Sequence, residues 1–163
     1  MKKQNTLYLV QGAAIAAIYV VITVMFAPLS FGNVQIRFSE ALTVLPFFTP
    51  AAVPGLFIGC LIANILGGGI PMDIIAGSLA TLIGAVLSYR LRNHKYLVPL
   101  PPILANTLIV PFVLYYGYGM NLPIPFMMLT VGIGEIASCG VLGMIILLAL
   151  ERYENVIFRN AAA

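Results

Sequence analysis

Residues 41–66 read ALTVLPFFTPAAVPGLFIGCLIANIL. The run is long and apolar enough for one tilted membrane helix, yet Pro46, Pro50 and Pro54 interrupt it. Proline removes a helical hydrogen bond and collides with the preceding turn. Two elements are therefore expected, a short helix from about Glu40 to Phe48 and a second from about Ala51 to Leu66. Charge supports the split independently. Lys2 and Lys3 precede the first apolar run, and Arg90, Arg92 and Lys95 follow the fourth. Both groups belong on the cytoplasmic side under the positive-inside rule, so an even number of crossings must separate them. Splitting residues 41–66 satisfies that condition; a single span would put the later cluster outside.

Outward from this stretch, the first span runs from about Leu7 to Ala27 and is closed by Pro28. The run is too long for the apolar region of a signal peptide and reads as a permanent span. A fourth span runs from about Asp73 to Tyr89, a fifth from Leu100 to Tyr116 behind Pro99, Pro101 and Pro102, and a sixth from Phe126 to Leu150. Arg152 and Arg159 then fall in the cytoplasm, as six crossings require, with both termini on that side. Composition agrees: of 163 residues, 61% are hydrophobic and 8% charged, far below the charged share of about a quarter in soluble domains. The expectation is an all-α integral membrane protein, one six-helix transmembrane domain over residues 1–163 of a cell membrane. The net charge of +3 comes from basic residues at span ends, which mark topology and not a nucleic-acid patch. Cys60 and Cys139 lie inside apolar stretches and read as small hydrophobes, with no spacing that suggests a disulfide or a metal site.

Depth separates the polar residues. Gln35-Ile36-Arg37-Phe38-Ser39-Glu40 is an island of polarity at the outer end of the second span, and Arg37 is the one basic residue left outside. Asn64 ends the third span and Asp73 opens the fourth on the same side. Glu135 lies about ten residues into the sixth span, about 15 Å at 1.5 Å per residue. Asn106 is at comparable depth, with Tyr115 and Tyr116 above it. Intramembrane acids are costly and turn towards water, a ligand or a counter-charge. One reading is a satisfied polar core, with Arg37 paired to Glu40, Glu135 bonded to Asn106, and Asp73 serving as a helix-start acid. The other is a pocket of Arg37, Glu40, Asn64, Asp73, Asn106, Tyr115 and Glu135. That set suits a flat, nitrogen-rich ligand: carboxylates accept paired N–H bonds, amides read the remainder, and rings cover the face.

Catalytic signals are absent. The sequence has no phosphate-binding Gly-x-x-x-x-Gly-Lys-Ser/Thr loop, no Gly-x-Ser-x-Gly and no His-Glu-x-x-His; its single histidine, His94, lies in the basic loop beside Lys95. No enzyme activity, catalytic residue or metal is expected. Nor is there an obvious inverted repeat of the kind that secondary transporters carry. Two small-residue faces remain: Gly55 and Gly59 on the third span, and Ala13 and Ala17 on the first, each spaced to admit a close helix. For the alanine face the neighbour is either a sibling span or a partner protein.

The segments Asn33-Val-Gln-Ile-Arg37-Phe-Ser-Glu40-Ala-Leu-Thr-Val-Leu-Pro46, Asn64-Ile-Leu-Gly-Gly68 and Asp73-Ile-Ile-Ala-Gly77-Ser-Leu-Ala-Thr81-Leu-Ile-Gly84-Ala resemble the QueT family. These are substrate-binding S components of energy-coupling factor (ECF) importers associated with queuosine precursors. The resemblance extends over nearly the whole chain. It implies a six-helix S-component bundle that binds its substrate near the outer face, under the loop after the first span. It also implies partners: a transmembrane T component, docked on the Ala13 and Ala17 face, and two cytoplasmic ATPase subunits that hydrolyse ATP, with no cofactor held by this chain. The implied substrate is a 7-deazaguanine such as preQ0 or preQ1, or queuine, with Glu40, Asp73 and Glu135 sharing its N–H donors and any ammonium. An S component for a different vitamin or small metabolite, and a non-transport structural or assembly protein, are the alternatives.

Overall fold

The computed structural model describes residues 2–27, 37–153 and 157–158, with side chains from residue 5 onward. Gln35, Arg159 and most of the loop after the first span lie outside the described residues. Every element among the described residues is helical. In chain order these are α1 (Lys2–Met25), a 3-10 helix (Phe38–Phe47), α2 (Ala52–Leu66), α3 (Pro71–Arg90), a short 3-10 turn (Lys95–Leu97), α4 (Leu100–Tyr116) and α5 (Ile124–Glu151), the last carrying a π stretch at Ile136–Leu142. Four spans, Asn5–Met25, Pro71–Arg90, Lys95–Tyr116 and Ile124–Glu151, are long and apolar enough to cross a membrane, and the 3-10 helix and α2 are shorter apolar elements. The described residues form a multi-pass membrane bundle of six main helices.

The break expected inside residues 41–66 is present, but its first half is not an α-helix. Phe38–Phe47 winds as a 3-10 helix with Pro46 inside it and Ser39 through Pro46 all buried. Ten residues of 3-10 helix reach about 20 Å, against about 15 Å for the same number in an α-helix, and the coil is narrower. That slimness suits its place. It threads the middle of the bundle, touching α1, α2, α3 and the C-terminal half of α5. Thr43 Oγ1 donates to the Glu40 carbonyl at 2.6 Å, three residues back, and reinforces the tight winding.

Close helix contact comes from the glycine face anticipated on α2. A Cβ at Gly55 would lie 2.6 Å from the Gly12 carbonyl oxygen, and one at Gly59 would lie 3.1 Å from the Ala16 Cα and 2.9 Å from the Tyr19 Cβ. Only glycine admits that approach. The α1 stripe used is Gly12, Ala16 and Tyr19, so Ala13 and Ala17 stay exposed on another face of the helix. At the end of the bundle carrying Lys95, the Ser88 hydroxyl donates to the Val98 carbonyl at 2.6 Å, and Lys95 Nζ reaches both Glu151 carboxylate oxygens at 3.1 Å. These bonds tie the α3–α4 connection and the end of α5 together.

Candidate functional site

Each helix turns one polar stripe inward, and the stripes meet in the half of the bundle at the Asp73 end. On α3 the stripe is Asp73, Gly77 and Thr81, spaced by four and buried, so one helix carries a polar group at two depths about 12 Å apart. On α2 it is Cys60 and Asn64, and on α1 Tyr19 and Thr23, all essentially solvent-inaccessible. Asn106 from α4 and Glu135 from α5, the latter at the junction with the π stretch, complete the set. π-helical turns recur at functional sites because they displace one residue from the regular register.

Two layers result. In the upper one, Arg37 Nη2 meets Asp73 Oδ2 at 3.4 Å and Tyr118 donates its hydroxyl to the same oxygen at 3.1 Å. Asn64 Nδ2 donates to the Asp73 carbonyl at 3.4 Å and approaches Cys60 Sγ at 3.6 Å. Gly77 keeps this layer open, since a Cβ there would lie 3.2 Å from Asp73 Oδ1 and 3.3 Å from Asn64 Nδ2. Outside the spans, burial and the neighbouring Asp73 charge hold the Tyr118 phenol above its usual pKa, so it is a hydrogen-bond donor at neutral pH. The deeper layer is built on Glu40, whose Oε1 accepts from Tyr19 and, at 3.4 Å, from Thr81. Asn106 Nδ2 donates to Glu135 Oε1 at 3.1 Å and also faces Glu40, and the two acids are close enough to interact electrostatically.

The side chains share one habit. The three acids and Asn64 each have one end taken by the protein while an acceptor atom at the other end is left over. Glu40 Oε2, Glu135 Oε2, Asp73 Oδ1 and Asn64 Oδ1 are buried and have no hydrogen-bonding partner among the described residues. An unmet buried acceptor costs about 1–3 kcal/mol, so four in one cluster call for donors from elsewhere. The Asn64 orientation follows from its Nδ2 partners.

Six of the seven residues expected to line a site are brought together, but not in the expected pairing. Arg37 pairs across the bundle with Asp73, because it precedes the 3-10 helix in an extended conformation (φ −96°, ψ 98°) and departs from the face that carries Glu40. Asp73 turns inward to Arg37 and Tyr118, with no side-chain cap bond at its helix start. Tyr115 does not join them. Nine residues beyond Asn106 it lies about 180° round the helix, half-exposed and packed edge-on against Tyr116. Sequence reasoning missed Tyr19, Thr81 and Tyr118, and treated Cys60 and Cys139 as plain hydrophobes. Thr81 is legible as the continuation of the Asp73–Gly77 spacing, and Tyr118 as the aromatic between Gly117 and the positive-φ Gly119. Cys60 and Cys139 are free thiols that join the polar network, Cys60 beside Thr81 at 3.4 Å and Cys139 beside Thr43 at 3.0 Å.

Residues 9–152 match the QueT transporter family. The chain belongs to that family. Its members are transporters and not enzymes, in keeping with the missing catalytic motifs. The queuosine precursor transporter QueT of Lactococcus lactis subsp. cremoris is 38% identical over 102 residues, which is 59% of this chain and 60% of that protein. The chain therefore aligns with well under two thirds of that QueT protein's length. No solved structure matches the chain.

Proposed function

We propose that this QueT-family chain is a membrane-embedded substrate-binding subunit that takes up a queuosine precursor, a 7-deazaguanine such as preQ0 or preQ1, or queuine. One observation supports this reading above the others: the four buried acceptor oxygens without partners, at Glu40, Glu135, Asp73 and Asn64, occupy one polar cluster inside an apolar bundle. A 7-deazaguanine presents N–H donors along its edge, and a carboxylate accepts two of them side by side. An aminomethyl ammonium, where the ligand has one, is suited to a second acid. The charge of the cluster points the same way, with three acids set against the single arginine Arg37.

In this reading the Asp73 end faces outward, and the basic Lys95 end and both termini are cytoplasmic. The energy comes from outside the chain, from an ECF T component and two cytoplasmic ATPases, and this subunit needs no cofactor. Ala13 and Ala17 form the docking face; their exposure, with Gly12 and Ala16 already used internally, leaves them available to a partner helix.

Mass spectrometry of small molecules released from the purified protein, with calorimetric titration of 7-deazaguanines, tests the substrate. A bound 7-deazapurine supports the reading; a different vitamin overturns it in favour of another S component. Replacing Ala13 and Ala17 together by leucine is expected to abolish uptake while leaving ligand affinity intact. Loss of affinity in that variant would instead return the face to internal packing.

A further inference from the structure

Glu40 is the most deeply buried acid among the described residues. It is wholly buried, it sits on the 3-10 helix in the middle of the bundle, and one of its oxygens is unpartnered among the described residues. Its other oxygen is held by a residue that sequence reasoning did not mark. Tyr19, 1% exposed, donates its phenol to Glu40 Oε1, while Thr81 Oγ1 approaches the same oxygen at 3.4 Å. The bond is not an isolated contact between α1 and the 3-10 helix. One turn further along α1, Thr23 Oγ1 donates to the Tyr19 carbonyl at 2.8 Å and lies 2.7 Å from the Ser39 hydroxyl, which can supply the proton of that second bond. Residues four apart on a helix share a face, so Tyr19 and Thr23 grip Glu40 and Ser39, two consecutive residues of the 3-10 helix.

The two grips differ in chemistry. Thr23–Ser39 joins two neutral hydroxyls and serves only to hold the elements together. Tyr19–Glu40 joins a phenol to an acid, and a bond of that kind is about twice as strong as a neutral one when the acid is ionised. A phenol has one proton to give, and here it is spent on the acid. We propose that Tyr19 is the positioning residue of the site: it holds Glu40 through Oε1 so that Oε2 is presented to the ligand, and it places that acid under the control of α1. The inference rests on the reading of the cluster as a ligand site. It adds a residue that touches the acid and not the substrate, on the same helix that exposes Ala13 and Ala17.

The test uses the full-length protein in detergent with Tyr19→Phe, Thr23→Val and Glu40→Gln. Tyr19→Phe is expected to weaken binding of a 7-deazaguanine by roughly tenfold or more, the usual loss when a buried hydrogen bond is removed, and Thr23→Val by far less. Infrared difference spectra of the unliganded proteins supply a readout that a purely structural role would not move. The carboxyl band lost in Glu40→Gln identifies Glu40, and that band is expected to shift in Tyr19→Phe and stay in place in Thr23→Val. An unmoved band in Tyr19→Phe overturns the proposal, as does unchanged affinity or an equal loss in Thr23→Val. Failure of the wild-type protein to bind any 7-deazaguanine would count against the substrate reading, while the band comparison, which needs no ligand, still decides whether Tyr19 holds the acid.

Discussion

The two halves of this bundle solve the same packing problem in opposite ways. The half at the Lys95 end is built on apolar contact. Gly12 meets Gly55 backbone to backbone, and an open groove of about 280 Å³ between α1, the 3-10 helix and α5 is walled mainly by the apolar Ile15, Leu42, Leu45, Ile146, Leu150 and Phe158. The half at the Asp73 end buries Arg37, Glu40, Asn64, Asp73, Asn106 and Glu135 in one network. A bilayer gives no hydrophobic drive between helices, so close van der Waals fit must hold the first half. That fit then leaves the second half free to carry costly polar groups, which is where a membrane protein keeps its function.

The sharpest way to break this division is to remove an acid. Glu40→Ala and Glu135→Ala are each expected to abolish binding of a 7-deazaguanine, with Kd rising at least ~10²-fold, while size-exclusion profiles and melting temperature show a folded protein. Unchanged affinity in both would mean that the network is structural. The converse change is Gly55→Leu, which drives a side chain into the Gly12 carbonyl and is expected to cost ~3 kcal/mol or more of stability, read as a lower melting temperature and poor yield. Normal stability there would show that the glycine contact is dispensable.

Smaller effects sharpen the layering. Asp73→Asn keeps the shape of the upper layer but removes the charge opposite Arg37, and a roughly 10- to 100-fold loss of affinity is expected, less than for Glu40. A larger loss than at Glu40 would reverse the assignment of the two layers. At the far end, Lys95→Ala opens a partly exposed ion pair with Glu151, with both side chains about one-third accessible. Exposed pairs contribute little, so a change under ~1 kcal/mol in stability and none in ligand affinity is expected by thermal melting and calorimetry.

Much of this was open to sequence reading, and the reason differs from element to element. The prolines at 46, 50 and 54 forced the break before α2, because proline's effect on a helix is local and needs no partner to be known. Gly55 and Gly59 announced a close helix contact through their spacing alone. Arg37, Glu40, Asn64, Asp73, Asn106 and Glu135 were marked by cost, since polar groups in an oil-like chain require an explanation wherever they point. Depth was readable by counting residues; direction was not. Tyr115 turns to the opposite side of its helix from Asn106, and Arg37, which one reading pairs with Glu40, meets Asp73 on another helix.

By itself, then, the sequence determined that this chain spans a membrane, where it turns, and which polar residues demand an explanation inside it, because hydrophobic run length, proline geometry and the burial cost of charge are properties of local sequence. The tertiary structure alone decided the 3-10 winding of Phe38–Phe47, the pairing of Arg37 with Asp73 and the hold of Tyr19 on Glu40. Each of those depends on which helix faces which, and at what rotation, and such information exists only once the helices are packed.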